Sequence, residues 1–157
     1  METRTVDVAI IGAGTAGLNA RRAVEKAGGQ PLLIESGVYG TTCARVGCMP
    51  SKLLIAAADV AHEVASADGF GIEVPDWQID GARVLTRVQR ERDRFAGMVA
   101  ANTEALPAEQ RLFGHARFTG PTTLEVDDHT RVEARAVVIA SGSSPFIPPP
   151  FDAISAD

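Results

Sequence analysis

The two cysteines of this 157-residue sequence lie in the stretch GTTCARVGCMPSK, residues 40–52, with four residues between Cys43 and Cys48. An alanine- and leucine-rich stretch follows, so Cys48 is expected at the start of a helix. There the helix dipole and unpaired backbone amides stabilise a thiolate. Cys43 is near enough to form a disulfide with Cys48 and, being farther from the dipole, is better placed to meet an incoming dithiol. The spacing therefore favours thiol–disulfide exchange.

The cysteine pair has two other interpretations. A zinc site takes about four ligands, but the chain has no second cysteine pair and its histidines, His62, His115 and His129, are scattered. The sequence accordingly predicts no metal site. Free cysteines are also often small buried core residues. That interpretation stays open on the residues alone, although close pairs in thiol-reducing compartments are more often catalytic or metal-binding than structural.

A glycine-rich loop, GAGTAG at residues 12–17, follows a β-branched apolar run at 6–11. Gly12 allows the tight turn, Gly14 lets the backbone approach a pyrophosphate, and Gly17 lets the following helix pack closely against the strand. The N-terminus of that helix presents unpaired amides and a positive dipole end to phosphate groups. The loop thus predicts a dinucleotide site.

An acidic residue, Glu35, ends the next apolar run, Pro31–Glu35, eighteen residues beyond Gly17. At that position a carboxylate accepts hydrogen bonds from an adenosine ribose and repels a 2′-phosphate, which disfavours NADP. The alternative is that the glycines serve only a strand–helix turn and that Glu35 is a solvated strand end. The loop by itself does not choose between FAD and NAD.

The elements expected around these motifs alternate between strands and helices, which predicts an α/β fold. Apolar and β-branched runs predict strands at 6–11, 31–35, 111–118, 123–126, 131–134 and 137–140. Periodic stretches predict helices at 18–26, 51–66 and 81–105. We expect a Rossmann-like domain with a parallel sheet plus a small antiparallel β-meander.

The composition and the net charge argue against two further classes of function, nucleic-acid binding and membrane insertion. The chain is 45% hydrophobic and carries a formal charge of −5, with 15 basic and 20 acidic residues. A nucleic-acid partner is therefore not expected, since it calls for a basic surface. The longest apolar runs are far shorter than the ~20 residues of a membrane-spanning helix, and the N-terminus is typical of a strand rather than a signal peptide. A soluble cytoplasmic protein is the expectation.

The cysteine stretch resembles the redox-active disulfide segment of the flavoprotein pyridine-nucleotide disulfide oxidoreductases, and in particular their dihydrolipoamide dehydrogenase branch. The GAGTAG loop, Glu35 and the ASG triplet at 140–142 extend the resemblance over most of the chain. It implies an incomplete N-terminal FAD-binding domain at residues 1–144. The proline-rich residues 145–157 then form a linker toward a missing NAD-binding domain.

The resemblance also implies residue roles. Cys43 is the interchange thiol that exchanges with substrate, and Cys48 is the thiol that lies against the flavin as a charge-transfer donor. The residues expected near FAD are Gly12, Gly14 and Gly17 at the pyrophosphate, Glu35 at the ribose, Thr42 in contact with FAD, Lys52 near the flavin ring, Gly114 and Ala116 at the adenine, and Ser141 and Gly142 beside the cofactor.

The implied activity passes electrons between a dithiol substrate, foremost dihydrolipoamide, and NAD through FAD, in a homodimer. The family's NAD-binding domain and its dimerisation domain with a His–Glu pair are missing from these 157 residues, so we expect a fragment that is inactive alone. Thr41 and Arg45 depart from the usual family pattern, which leaves the substrate open. Alternatives are a mercuric or glutathione reductase-like enzyme, and a non-catalytic dinucleotide-binding module that senses redox state through the cysteines.

Overall fold

A computed structural model describes residues 1–144 and 146–149 of the chain. One six-stranded sheet consists of β1 (Glu2–Ile11), β2 (Pro31–Glu35), β3 (Arg111–Phe113), β4 (Ala116–Phe118), β5 (Thr123–Val126) and β6 (Thr130–Ile139). Its spatial order is β3-β2-β1-β6-β5-β4. The first four strands of that order are parallel, and β5 and β4 continue the sheet antiparallel. The predicted α/β class, with a parallel sheet and a small antiparallel meander, is confirmed.

Four α-helices accompany the sheet in the described residues: α1 (Thr15–Lys26), α2 (Thr42–Arg45), α3 (Cys48–Ser66) and α4 (Gly81–Glu104). Short 3₁₀ turns follow α3 and α4 at Ala67–Phe70 and Ala108–Gln110. The sequence predicted that the third helix starts at Ser51, but it already starts at Cys48. Pro50 does not delay the start, because the first-turn amides of a helix have no intrahelical partner and a proline there loses no bond.

The core lies on both faces of the central strands. Ile10 of β1 and Leu33 of β2 are neighbours in the parallel register and belong to a cluster on one face. Ala9 and Leu32, the preceding pair, belong to a larger cluster on the other face. Because successive side chains of a strand point to opposite faces, a continuous apolar run is what a strand covered on both sides requires.

Four of the predicted strands were wrong in their boundaries. The strand predicted at 6–11 begins earlier, since β1 is Glu2–Ile11. The strands predicted at 131–134 and 137–140 are one continuous strand, β6, which pairs with β1 over the whole of Glu2–Ile11. Arg135 and its neighbours carry no turn-forming residue, and the long partner strand keeps the backbone extended. Conversely, the strand predicted at 111–118 is divided into β3 and β4.

Gly114 makes that division. Its φ of +145° is a conformation that residues with a side chain rarely adopt. β3 pairs with β2 at one edge of the sheet, whereas β4 pairs with β5 at the other. Since Phe113 and Ala116 are three residues apart, at most about 11 Å of chain joins the two edges. The sheet must therefore curl until its edges approach each other at Gly114.

The helices differ from the sheet in their exposure. None of the residues of α3 is buried, and only Val88 and Thr103 are buried in α4. Within the described part of the chain, no helix combines the length and the apolar character needed to cross a bilayer.

Candidate functional site

The glycine loop connects β1 to α1 with little free space at two of its three glycines. A methyl group on Gly17 would lie 1.8 Å from the carbonyl oxygen of Gly12, so the first turn of α1 is in direct contact with the loop. Gly14 is the N-cap residue of α1, and an added methyl group there would meet nothing within 4 Å. The loop is thus tightly packed at Gly17 and has free space at Gly14, at the N-terminus of α1.

Gly12 also brings the loop against the end of β6. It has φ +108°, and a methyl group there would lie 2.3 Å from the carbonyl oxygen of Ala140. The amide of Ala140 donates to the carbonyl of Ile11 at 2.8 Å. The exposed residues Ser141 and Gly142, predicted to lie near the cofactor, follow at once and therefore adjoin the glycine loop.

The Glu35 carboxylate forms part of the loop's structure. Its Oε2 accepts a hydrogen bond from the backbone amide of Ala13 at 2.8 Å. Its Oε1 accepts from the amides of Ser36 at 3.0 Å and Gly37 at 2.9 Å. A carboxylate has about four lone-pair positions, so one remains for a ligand hydroxyl. The sequence predicts Glu35 at the ribose and does not predict these amide bonds, although a loop of backbone amides opposite an acid at a strand end indicates such bonds.

Of the two residues predicted at the adenine, Gly114 contacts Glu35 directly. The Gly114 amide donates to the Glu35 carbonyl oxygen at 2.9 Å. A methyl group on Gly114 would lie 2.4 Å from Oδ2 of Asp127 and 2.6 Å from a methyl group of Val126. Ala116 begins β4 opposite Val126. Gly114 is therefore next to Glu35, the predicted ribose residue, whereas Ala116 lies two residues later in the chain, in β4.

The two cysteines belong to consecutive helices, with Cys43 in α2 and Cys48 as the first residue of α3. Both are free thiols; Cys43 is half-buried and Cys48 is exposed. A hydrogen bond between the two side chains is the main reason that the pKa of Cys43 is raised, with burial and repulsion by a charged Cys48 adding to it. The Cys48 backbone amide and the Lys52 ammonium act in the opposite direction. The two cysteine side chains are thus neighbours, and Lys52, four residues after Cys48, lies on the same side of α3 as Cys48.

Thr41 and Arg45, which depart from the usual family pattern, hold the cysteine segment in place. The Thr41 hydroxyl caps α2 by accepting from the Ala44 amide at 3.2 Å. The Arg45 guanidinium donates to the Val38 carbonyl at 3.0 Å, and its stem lies against Gly40. Thr41 could have been found, since threonine is a preferred N-cap residue. No sequence signal identified the Arg45 contact.

The predicted site residues thus form two groups. Most of the dinucleotide residues gather at the carboxyl ends of β1, β2 and β6, where ligands bind in open α/β sheets. Cys43, Cys48 and Lys52 form the second group, while Thr42 lies exposed beside Cys43 in α2. Among the described residues, no hydrogen bond or ion pair joins the groups directly. Tyr39, just before the cysteine segment, packs against the core cluster that includes Ala13 of the loop.

Known proteins resemble this chain over most of its length, including both groups of site residues. The chain is 34% identical over 146 residues to the dihydrolipoyl dehydrogenase of Thermus scotoductus, covering 91% of this chain and 30% of that protein. It is equally 34% identical over 153 residues to the mycothione reductase of Mycobacterium tuberculosis, covering 92% and 32%. The chain therefore spans about a third of the length of the relatives that it matches.

A solved structure shares the fold. The Cu(II) complex of the HOCl-induced flavoprotein disulfide reductase RclA from Escherichia coli superposes with a TM-score of 0.67 and 24% identity, covering 93% of this chain and 30% of that one. The family model described as pyridine nucleotide-disulphide oxidoreductase matches residues 6–155. With nearly the entire sequence matched, the chain belongs to the pyridine nucleotide-disulphide oxidoreductase family.

Proposed function

We propose that this chain is the FAD-binding part of a flavoprotein disulfide reductase whose redox-active pair is Cys43 and Cys48. The observation that carries the proposal is the juxtaposition of Cys43, in α2, with Cys48, the first residue of the next helix, α3, and with Lys52 one turn farther along α3. Membership of the family implies a flavin and a pyridine nucleotide as cofactors.

The residues at the glycine loop fit the diphosphate and ribose of FAD. The open space at Gly14 lies at the first turn of α1, whose unpaired amides suit a pyrophosphate. Glu35 lies beside that loop and keeps one acceptor position for a ribose hydroxyl. Gly114 adjoins Glu35 through its amide, on the side where the adenine would lie.

The cysteines would exchange electrons with a dithiol in two balanced displacements. In the disulfide form, a substrate thiolate attacks Sγ of Cys43, the Cys43–Cys48 bond breaks, and Cys48 leaves as a thiolate. The second substrate thiol, once deprotonated, attacks its own mixed disulfide and releases Cys43. The substrate becomes a disulfide and the protein a dithiol. When bound, FAD supplies a two-electron acceptor for that dithiol and a route to the pyridine nucleotide.

Cys48 and Cys43 differ in position. Cys48 is the exposed first residue of α3, and a helix N-terminus favours a negative charge. Cys43, in α2, has a raised pKa because of the neighbouring Cys48, and the Lys52 cation partly offsets that rise. The asymmetry supports Cys43 as the thiol that exchanges with substrate.

Dihydrolipoamide is the substrate that we propose, with NAD as the terminal acceptor. The dihydrolipoyl dehydrogenase relative supports this assignment. The mycothione reductase relative, matched at the same identity, favours a disulfide of a small thiol as the second candidate. Either substrate would react by thiol–disulfide exchange at Cys43.

The proposal extends to architecture. Residues 1–144 would form the FAD-binding domain, and 145–157 a linker toward an NAD-binding domain in a homodimeric cytoplasmic protein. Most of that linker, Pro145 and residues 150–157, lies outside the described residues. The 157 residues alone should show negligible NADH-dependent lipoamide reduction, because the chain supplies one dinucleotide loop.

Trapping tests the thiol roles without turnover. In Cys48→Ser, Cys43 should form a stable mixed disulfide with an activated aryl disulfide. In Cys43→Ser, the remaining thiol of Cys48 should also react, but it should show little preference for dithiols over monothiols. Mass spectrometry of the wild-type disulfide form with dihydrolipoamide should show reduction of the pair. Failure of dihydrolipoamide and of mycothiol-type monothiols alike to reduce it would contradict the proposed function.

FAD binding is tested separately by quenching of flavin fluorescence. The wild-type chain should bind FAD, and Gly14→Val, which fills the open space at the loop, should lose binding while remaining folded. Binding that is equal in both proteins would contradict the cofactor assignment.

A further inference from the structure

The segment that connects the two cysteines consists of the end of α2 and a two-residue link. Cys43 lies in α2, and only Val46 and Gly47 separate α2 from Cys48, the first residue of α3. A methyl group on Gly47 would lie 3.6 Å from Cα of Cys43, so the residue before Cys48 packs against the backbone of Cys43. The position of α2 therefore decides how closely the two cysteines approach each other.

A helix as short as α2, a single turn of four residues, is not stable by itself. Starting a helix is unfavourable, and isolated helices shorter than about 12 residues are marginal in water. Contacts from outside the turn must hold it. Ala44 supplies one, since only 5% of its surface is exposed. Two more come from side chains at opposite ends of the turn, Thr41 and Arg45.

Thr41 caps the start of α2 with two acceptors. Its hydroxyl oxygen accepts from the Ala44 amide at 3.2 Å. Its carbonyl oxygen accepts from the amides of Ala44 and Arg45, both at 3.0 Å. First-turn amides have no partner within their own helix, so these acceptors fix where α2 begins.

Arg45 acts at the other end of α2. Its guanidinium donates to the Val38 carbonyl at 3.0 Å, seven residues back along the chain. Its stem lies against Gly40, where an added methyl group would meet Cδ of Arg45 and the carbonyl oxygen of Ala96 in α4, each at 3.2 Å. Gly40 is thus enclosed between the Arg45 stem and the α4 backbone. Arg45 therefore ties α2 to an entering loop that is itself packed on α4.

We propose that Thr41 and Arg45 are positioning residues that make the Cys43–Cys48 disulfide harder to reduce. This role rests on the proposed function, in which the two cysteines are the redox-active pair. Thiols that are held near each other lose less chain entropy on forming a disulfide than thiols on a mobile segment, and their effective concentration is higher. Thr41 and Arg45 fix α2 while both thiols are still free. They therefore shift the redox equilibrium toward the disulfide.

The equilibrium is measured against dithiothreitol. One thiolate of dithiothreitol attacks Sγ of Cys43, the Cys43–Cys48 bond breaks, and Cys48 leaves as a thiolate. The second thiol of dithiothreitol then displaces Cys43 and closes a cyclic disulfide. Two electrons and two protons thus pass from dithiothreitol to the cysteines.

The protein at its full encoded length is equilibrated with mixtures of reduced and oxidised dithiothreitol, quenched with acid and alkylated. Cleavage after glutamate releases both cysteines on one peptide, residues 36–63. Mass spectrometry of that peptide gives the ratio of dithiol to disulfide, and hence the equilibrium constant for reduction.

Arg45→Met keeps an apolar stem against Gly40 and removes the donor to Val38. One hydrogen bond changes an equilibrium constant about two- to tenfold, and we expect the constant for reduction to rise by that factor. A tenfold rise corresponds to about 30 mV. Arg45→Lys should recover much of the wild-type value, because a single bond to a carbonyl does not need the planar fork of a guanidinium.

Thr41 gives an independent pair of variants. Thr41→Val keeps the shape of the side chain and removes the oxygen that caps α2, so the constant for reduction should rise as in Arg45→Met. Thr41→Ser keeps the oxygen and should match the wild type. This pair decides the matter if circular dichroism shows that an Arg45 variant does not fold.

Arg111→Met is the matched control for a purely structural role. Arg111, at the start of β3, also donates to a backbone carbonyl, that of Leu106 at 3.1 Å. An arginine that only stabilises the fold stabilises the oxidised and the reduced protein alike. Its loss therefore leaves the constant for reduction at the wild-type value, which is what we expect for Arg111→Met.

The pKa of Cys43 distinguishes a positioning role from a charge effect. Cys48 raises that pKa, and the Lys52 cation lowers it. If Arg45 acts by position, its loss separates the cysteines and the pKa of Cys43 falls. If Arg45 instead acted as a nearby cation, its loss would raise that pKa. The pH profile of Cys43 alkylation in Arg45→Met gives the direction, and a rise would overturn the positioning role.

Two results of the equilibrium measurement would also overturn the proposal. One is a constant for reduction in Arg45→Met and Thr41→Val that is no greater than in the wild type, which would leave the proposed function intact. The other is a wild-type protein in which Cys43 and Cys48 form no disulfide in the most oxidising mixture, which would remove the proposed function as well.

Discussion

The sheet end around the glycine loop and the helix pair α3–α4 are built in opposite ways. At the sheet end, the space is filled so closely that a methyl group on Gly17 or Gly12 would overlap a carbonyl oxygen. Along α3, by contrast, none of the residues is buried. Leu32 in β2 is 0% exposed, whereas Leu54 in α3, the same residue type, is 46% exposed.

This contrast separates two kinds of surface. The sheet end is a preformed site, in which protein contacts already fix the loop that would hold a cofactor. The helix pair is held to the rest of the protein by few buried side chains and presents apolar surface outward. Changes at the sheet end should therefore act on folding and cofactor binding, and changes on the exposed faces of the helices should cost less stability.

The largest effect is expected at Gly17. In Gly17→Val the new side chain would need the space of the Gly12 carbonyl, 1.8 Å from the first added carbon. We expect a loss of about 4 kcal/mol or more in the free energy of unfolding, in the range that marks severe steric disruption. Urea unfolding followed by circular dichroism measures it. Gly14→Ala is the control, because its added carbon meets nothing within 4 Å; similar losses in both would break the comparison.

A pair of leucine truncations compares the two regions directly. Leu32→Ala removes a fully buried side chain and should cost about 2–5 kcal/mol. Leu54→Ala removes a half-exposed one and should cost less than about 1 kcal/mol, nearer to a surface change. Thermal and urea unfolding of both variants give the difference. Equal costs would show that the α3 surface is covered in solution.

The third prediction concerns the Glu35 carboxylate. Glu35→Gln replaces one acceptor oxygen by an NH₂ group, which must face an amide of Ala13, Ser36 or Gly37. Leaving buried or half-buried donors unsatisfied costs about 1–3 kcal/mol, and we expect a loss toward the lower end without cofactor. The exposed Glu73→Gln is the matched control. If the glutamine variant lost FAD affinity but no stability, the loop-holding role would be refuted.

The smallest expected effect is a shift in the pKa of the Cys43 thiol in Cys48→Ala. Cys48→Ala removes the first cause of its raised pKa, the hydrogen bond between the thiols, so that pKa should fall. At a fixed pH near neutrality more Cys43 is then thiolate, and its alkylation by iodoacetamide should be faster, with the pH profile moved to lower pH. The same reaction in denaturant gives the unfolded reference. An unmoved profile would show that the thiols are not in contact in solution.

The wild-type dithiol has a matching stability signature. The pKa of Cys43 in the folded protein is above the ordinary 9.0, so the folded state holds this proton more tightly than the unfolded chain does. The resulting stabilisation is complete below pH 9 and is lost as the pH rises from there through the folded pKa. Unfolding of the reduced protein across this range should show it, and the oxidised disulfide form should not.

Much of the fold followed from local patterns. The bounds of β2 and β5 match the predicted strands, since apolar runs flanked by turn residues define their own ends. The division at Gly114 did not follow, because it depends on which edge of the sheet each half joins. The continuity of β6 depends likewise on its long partner, β1. Pairing between distant strands decides such cases, and a local pattern does not contain it.

The sequence predicts candidate site residues but not the contacts that hold them in place. The spacing of the cysteines and the glycines pointed to both groups of side chains. The contacts of Arg45 with Val38, and of Glu35 with the amide of Ala13, join residues through loop conformations. Residue type alone indicates what Glu35 offers a ligand, but not that its carboxylate first holds the loop.

The contact of Gly12 with Ala140 has a consequence for how the protein matures. Gly12 lies near the beginning of the chain, and Ala140, which packs against it, lies near the end of the described part. Ordering such distant segments requires that nearly everything between them is already in place. On a translating ribosome the nucleotide could not be captured until β6 has emerged, so flavin uptake would serve as a late checkpoint on the integrity of the whole domain.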